Sequence, residues 1–588
     1  MSNAVQQPQQ RESERTILPA VPRWMLTLAY IVECVVLAFL FILSLIYTCE
    51  AQRKSDILGA ASVTELFTMH HGVPSLTLIL GVAAVFAALL LIAQFASRVQ
   101  RGNLLRFLVI TVLAIQIVWI AALELTAFWY PDSESLMDAA NALVNGHSNQ
   151  FAPDYCQLRA NAEACAHRPQ SLPLAHRYFS LYPFQTGPLV WYVFVAWIFG
   201  ANNVIAFQIL NAVAITGLVA ALWRIGTLIG LDDSGRAVLT ALTLTCVPLL
   251  MFATFVYPNA VGFTIALAGV ALIGQAFLAN HAWSGATMLL GGFLICGIGI
   301  MFKSTFIIIV LAAFIAVLLT MLLNKRWWQA PVALVGLLLA QVLSKLPLHI
   351  IQHVTGQQFG KGMPMSSWLL LGLSHEETAS PGWWTMAAIH TFDKAHGDYA
   401  TQADLIQEAL TSRLRYFGQH PSQAWQFFNE KLATEWADPT FMTVTYSQLG
   451  PSAHEFTGLP KWLLTGENDS RLFSFENAMQ SLVYVLALIG TIAMLVAVLR
   501  SLLSKQDVYT TDAHTNLLPA DAKMFARTFI CAAFLGGFIC YVFWEAKGIY
   551  TLPFYLLLLP VAAYGTQSCR AGTRWFVRYN RTSQESQA

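Results

Sequence analysis

The sequence predicts an all-α polytopic membrane protein, a bundle of about 12 to 13 transmembrane helices with two extracytoplasmic loop regions. The first observation is composition: of 588 residues, 56% are hydrophobic and 11% charged, against about 25% charged in soluble globular chains. The second is run length. WMLTLAYIVECVVLAFLFILSLIYT (24–48) and PSLTLILGVAAVFAALLLIAQFA (74–96) reach the roughly 20 residues that cross a hydrocarbon core as a helix. Such runs are too long and too numerous for a cleaved signal peptide. The third is the placement of basic residues, which sets sidedness.

Thirteen apolar segments follow the polar head: 24–48, 74–96, 107–127, 185–200, 204–228, 237–256, 259–279, 285–302, 304–323, 329–351, 479–499, 524–544 and 549–566. Arg11, Arg15 and Arg23 in the head, Arg98, Arg101 and Arg106 in the 97–106 connection, and Arg570, Arg574, Arg578 and Arg581 in the tail mark these three regions as cytoplasmic. Counting from either end then puts 128–184 and 352–478 outside. The two counts differ by one helix, and the expected culprit is 285–323, a nearly continuous apolar run read as one crossing plus a re-entrant piece.

The organisation expected is a disordered cytoplasmic N-terminus (1–23), two N-terminal transmembrane helices (24–106), and a transmembrane module (107–351) carrying the outer loop 128–184. A large extracytoplasmic loop domain (352–478), C-terminal transmembrane helices (479–566) and a basic cytoplasmic tail (567–588) complete it. In the large loop, HEETASPGWW and WADPTFM mix acids and aromatics as an exposed folded domain would.

A net charge of +1 gives no bulk attraction to nucleic acid; membrane lipids are the partners that composition implies. Of nine cysteines, only Cys156 and Cys165 share a polar loop. They read either as a disulfide, if the loop faces an oxidising compartment, or as ordinary thiols.

Candidate chemistry begins at FWYPDSESLMDAANALVNG (128–146), where an apolar span gives way to an acidic pair and an amphipathic helix. Asp132 and Glu134 suit a helix N-terminus as a cap and a dipole partner. The functional alternative is a carboxylate at the bilayer edge that takes a proton from a hydroxyl, or a pair that holds a divalent ion. In HRYFSLYPFQTG (176–187), Tyr178 and Phe179 read as an interfacial aromatic belt. His176 and Arg177 at the same depth suit a lipid phosphate. Lys303, in GIGIMFKSTFIII, is flanked by apolar residues on both sides and must reach an interface or a counter-ion, for which a phosphate is the economical choice. Glu545 and Lys547, before the last span, read as a solvated turn or as part of a site. The chain lacks a Walker loop, a G-x-G-x-x-G cradle, H-E-x-x-H and paired C-x-x-C, so no motif suggests a nucleotide or zinc site.

Taken in order, the acidic residue after a span, the surface helix, the Tyr-Pro motif, WIFGANN (197–203), GIMFKSTF (299–306) and the acidic-basic-Tyr stretch before the last helix resemble the GT-C glycosyltransferases. The likeness is to the family 39 protein O-mannosyltransferases and the lipid A aminoarabinose transferases, over 107–351 and 524–566. The resemblance implies a GT-C-like bundle that transfers a sugar from a polyprenyl-phosphate donor to an outer-face acceptor, which is a glycan, lipid or protein. It implies Asp132 as base with Glu134 as helper or weak metal ligand, and Lys303, Arg177 and His176 as holders of the donor phosphate. Tyr182, Pro183, Gln185, Glu545, Lys547 and Tyr550 would line the cavity. The expected location is a bacterial plasma membrane, with both termini cytoplasmic and the active site extracytoplasmic. The chain departs from the family in its two additional N-terminal spans, and metal dependence stays open. The competing readings are a lipid-linked-sugar flippase or transporter, and a non-catalytic cell-envelope scaffold.

Overall fold

The computed structural model describes residues 20–51, 67–71, 76–95, 101–124, 131–159, 161–167, 172–377, 379–449, 457–464, 467–504 and 518–585. Most of residues 1–23, with Arg11 and Arg15, lies outside them, as do Arg98 and Phe128–Tyr130; Ala20–Arg23 already belong to the first helix. The protein is an all-α polytopic membrane protein, and among the described residues ten helices are long and apolar enough to cross a bilayer. Two further pairs, Asp233–Leu244 with Val247–Thr254 and Gly548–Leu556 with Leu558–Ala571, bend by 58° and 43°; taken as single broken spans they bring the total to 12.

The helix-count mismatch resolves against the sequence expectation. Ala282–Phe302 and Ser304–Leu322 are each of span length, and they part where Lys303 adopts extended backbone (φ −152°, ψ 116°). The 285–323 run is therefore two helices, each of span length. The piece that falls short is 185–200. Its helix, Thr186–Phe199, has 14 residues, about 21 Å at 1.5 Å per residue, where the hydrocarbon core needs about 30 Å. A 3-10 turn over Pro183–Gln185 delays its start and Gly200 (φ 92°) ends it. Counted as twelve crossings, the described residues of 131–203 and 356–469, Lys303 and Glu545–Lys547 all fall on one face, and the 323–328 connection falls on the other.

The short helix is locked in place by close approach. A Cβ on Gly187 would stand 1.8 Å from the carbonyl oxygen of Met301, two residues before Lys303. Gly187→Ala must push the two backbones apart, so a loss of about 1–3 kcal/mol is expected, read as a lower thermal midpoint of the purified protein.

The large loop is less of a separate domain than expected. Helices Ser366–Leu373, Ala387–Lys394, Tyr399–Gln419 and Pro421–Trp436 cover one end of the bundle. WADPTFM, expected to be exposed, is buried throughout. Its Trp436 ring packs against Phe534 and Phe538, and Tyr484 donates to the Trp436 carbonyl (2.9 Å). Asp438 tolerates this burial because three donors meet its carboxylate: Thr440 N and Oγ1 (both 2.9 Å) and Met442 N (2.7 Å). In HEETASPGWW, His375 and Glu377 are exposed, whereas Ala379 to Trp383 are buried. A two-stranded antiparallel hairpin, Tyr47–Ala51 with Phe67–His71, was not legible in the sequence. Cys49 N donates to the Ala437 carbonyl (3.0 Å) and Phe67 N to Ser380 Oγ (3.0 Å), tying the first two spans to this layer.

Candidate active site

Asp132 stands in the first turn of the helix Pro131–Val144, with Glu134. Leu136, Met137, Ala139 and Ala140 bury its apolar face, so the helix packs onto the bundle rather than lying free on a membrane surface. Ser133 is buried as well and donates to the Val256 carbonyl. Thus seated, Asp132 directs its carboxylate to a side chain rather than serving as a simple cap: Tyr178 donates its hydroxyl to Oδ1 at 2.9 Å. Burial raises the Asp132 pKa above its ordinary value, opposed by the Tyr178 hydrogen bond and by the positive charges of Lys547 and Lys303. Burial, then the neighbouring carboxylate, hold the Tyr178 hydroxyl well above the usual phenol range, so it remains a donor.

Lys303 enters from the break between two spans. Its ammonium lies 3.6 Å from the centre of the Tyr550 ring and 5.6 Å from that of Tyr257. Glu545, then Asp132, supply the negative charge around it. Gln185 donates from Nε2 to the Tyr257 hydroxyl (2.7 Å). The Tyr182 ring sits 5.3 Å from that of Tyr178. Pro183 is buried beneath Gly362, where a Cβ would come within 2.3 Å of its ring. Glu545 and Lys547 are 7% and 5% exposed, which excludes the solvated-turn reading. The Lys547 ammonium lies 5.5 Å from the Trp383 ring centre.

The structure thus gathers Asp132, Tyr182, Gln185, Lys303, Glu545, Lys547 and Tyr550 around one point. Arg177 goes elsewhere. It is paired with Asp393 on the covering layer and lies over the Phe392 ring (5.1 Å), with its charge still felt by Tyr182. His176 is half-buried with its pKa lowered, first by burial, and engages the backbone of Phe151. Glu134 is exposed. Among the described residues no three His, Cys, Asp or Glu side chains converge as a metal-binding group. The Asp132–Glu134 pair offers only one enclosed and one exposed carboxylate. Cys156 and Cys165 form a disulfide, with Cα atoms 5.9 Å apart, settling the pairing left open above.

Two residues escaped the sequence reading. Tyr178 was assigned to an aromatic belt, yet it is 3% exposed and bonded to Asp132. Tyr257 lies in the bend after Val247–Thr254 and carried no motif. The available signal was Tyr178 itself, one helical turn before Tyr182, a spacing that stacks both rings on one face. No protein-family model, curated protein or solved structure matches this chain. The function is therefore inferred from the site.

Proposed function

We propose that this protein is a membrane glycosyltransferase that moves a sugar from a polyprenyl-phosphate donor to a hydroxyl on an outer-face acceptor. The observation that carries the reading is the meeting of a half-buried carboxylate, Asp132, with the charges of two lysines, Lys303 and Lys547, that lie 171 and 415 positions away in sequence. A carboxylate whose pKa is raised by burial is a better base near neutral pH. Enclosed cations suit a departing phosphate. In the proposed step the acceptor oxygen attacks the anomeric carbon and its proton passes to Asp132. The bond from that carbon to the phosphate oxygen breaks, and its electron pair leaves with the phosphate beside Lys303 and Lys547. A single displacement inverts the anomeric centre.

The site's face is assigned as extracytoplasmic because Lys325, Arg326, Arg500, Lys523 and Arg570 cluster at the opposite ends of the spans. The deciding assay places purified protein in lipid vesicles with radiolabelled polyprenyl-phosphate sugars and glycan, lipid or peptide acceptors. Label is expected in an acceptor. Label that only crosses the bilayer replaces the transferase by a flippase, and label that does neither leaves a scaffold.

A further inference from the structure

The segment bearing Glu545 and Lys547 joins two spans and is held from above by the covering layer. Glu545 N donates to the Trp368 carbonyl (2.9 Å), and Ala546 N to the Gly382 carbonyl (3.2 Å). A Cβ on Gly372 would come within 2.2 Å of the Phe543 carbonyl oxygen, so the two backbones touch there. Into this contact runs Lys431, fully buried. Its ammonium donates to the Trp544 carbonyl (2.7 Å) and to the Gly372 carbonyl (2.7 Å), bridging the site segment to the covering layer. Gly382 makes room for it: a Cβ there would lie 2.5 Å from Lys431 Cδ.

Glu435, one turn along the same helix, is also fully buried, with Oε1 3.8 Å from the Lys431 nitrogen. That is too long for a hydrogen bond, and neither Glu435 oxygen has a hydrogen-bond partner among the described residues. Burial pushes the Glu435 carboxyl up to about 8, with the Lys431 charge pulling down and Glu545 adding to the rise. A buried pair of this kind is poor as a stabilising device, because desolvation offsets its attraction. What Lys431 does well is hold two carbonyls from different segments.

We infer that Lys431 is a positioning residue that sets the Glu545–Lys547 segment against Asp132 and Lys303 by bridging the Trp544 and Gly372 carbonyls. An ammonium suits this task because its donors fan out from one compact point, whereas most residues of its size present fewer. The Glu435 side chain makes no hydrogen bond to the Glu545–Lys547 segment among the described residues, so the bridge does not depend on it. The kinetic consequence rests on the proposed transferase activity; the placement of Lys547 does not.

The test measures the rate at which an amine-acylating reagent, acetic anhydride, modifies Lys547, followed by mass spectrometry on the full-length protein in vesicles. Lys523, 4% exposed at the far end of the preceding span, reports on general loosening. In Lys431→Met/Glu435→Gln, which removes the bridge and leaves no ionisable group at either buried position, Lys547 is expected to react at least about tenfold faster, the loss of one charged hydrogen bond in a local opening. Lys523 should keep its wild-type rate. Glu435→Gln alone, which keeps the bridge, should leave Lys547 unchanged. Lys431→Gln, a milder change that retains one donor group, should give an intermediate rate and covers the case in which the double variant does not fold. Lys547 reacting at the wild-type rate without Lys431, or Lys547 and Lys523 rising together, overturns the inference. In the transfer assay the double variant should lose about tenfold to a hundredfold in kcat/KM through displacement of the segment, chiefly in KM for the carrier. A wild-type protein that transfers no sugar defeats the proposed function, and the Lys547 rates still decide the role of Lys431.

Discussion

Asp132→Asn is expected to lower sugar transfer by about 10²- to 10⁴-fold, the range a positioned general base contributes, in a protein that folds and accumulates as wild type. Asparagine has nearly the same shape, and its Oδ1 accepts the Tyr178 hydroxyl as the carboxylate does (2.9 Å). The helix that carries it keeps its buried face of Leu136, Met137, Ala139 and Ala140. The substitution therefore removes the proton acceptor and little else. The pH dependence follows from the same environment. Only the ionised carboxylate is a base, so transfer rises with pH as Asp132 loses its proton. Burial raises that pKa from 3.8, so the acid limb of the pH–rate profile lies above the ordinary aspartate range. Single-turnover transfer across a pH series measures both. A fully active Asp132→Asn protein would remove Asp132 from the chemistry.

Lys303→Gln is expected to cost about 10²- to 10³-fold in kcat, the loss seen when one enclosed stabiliser of developing negative charge is removed. Its ammonium is held between the rings of Tyr550 (3.6 Å) and Tyr257 (5.6 Å). Glu545 and Asp132 balance its charge before any substrate enters. Because phosphate gains charge as the sugar departs, the lysine interacts more strongly with the transition state than with the bound donor, so kcat should fall more than KM rises. Lys303→Arg keeps the charge but brings a larger, planar group into a pocket shaped by two rings, and should recover part of the rate. Steady-state kinetics with varied carrier, alongside thermal midpoints, separate this from loss of fold. A variant that raises KM and leaves kcat alone would make Lys303 a docking residue.

Membrane class, most spans and the acidic start of the 131–144 helix were readable from pattern, since each depends on residues near in sequence: run length, hydropathy and a polar boundary. The count failed where length was decided by neighbours. The 185–200 segment is as apolar as a span, but the 3-10 turn at Pro183–Gln185 and the stop at Gly200 hold the helix to 14 residues. Lys303, conversely, was singled out as a costly charge in need of a partner, and it stands at a break between two helices of span length rather than before a re-entrant piece. WADPTFM looked exposed because acids usually are. Asp438 is buried since backbone and hydroxyl donors in its own turn satisfy it.

Site membership divides in the same way. Asp132, Lys303, Glu545 and Lys547 stood out individually because each is a charge beside an apolar span, and charge next to hydrocarbon is expensive wherever it occurs. Their convergence had no local signal. Nor did the capture of Arg177 by Asp393, the bond between Tyr178 and Asp132, or the bridge made by Lys431. Hydropathy is a sum over neighbours in the chain, so the linear order of residues suffices to place this protein in a membrane. Which charged groups face one another depends on how helices from distant parts of the chain pack, and that is settled by burial and steric fit in the folded bundle.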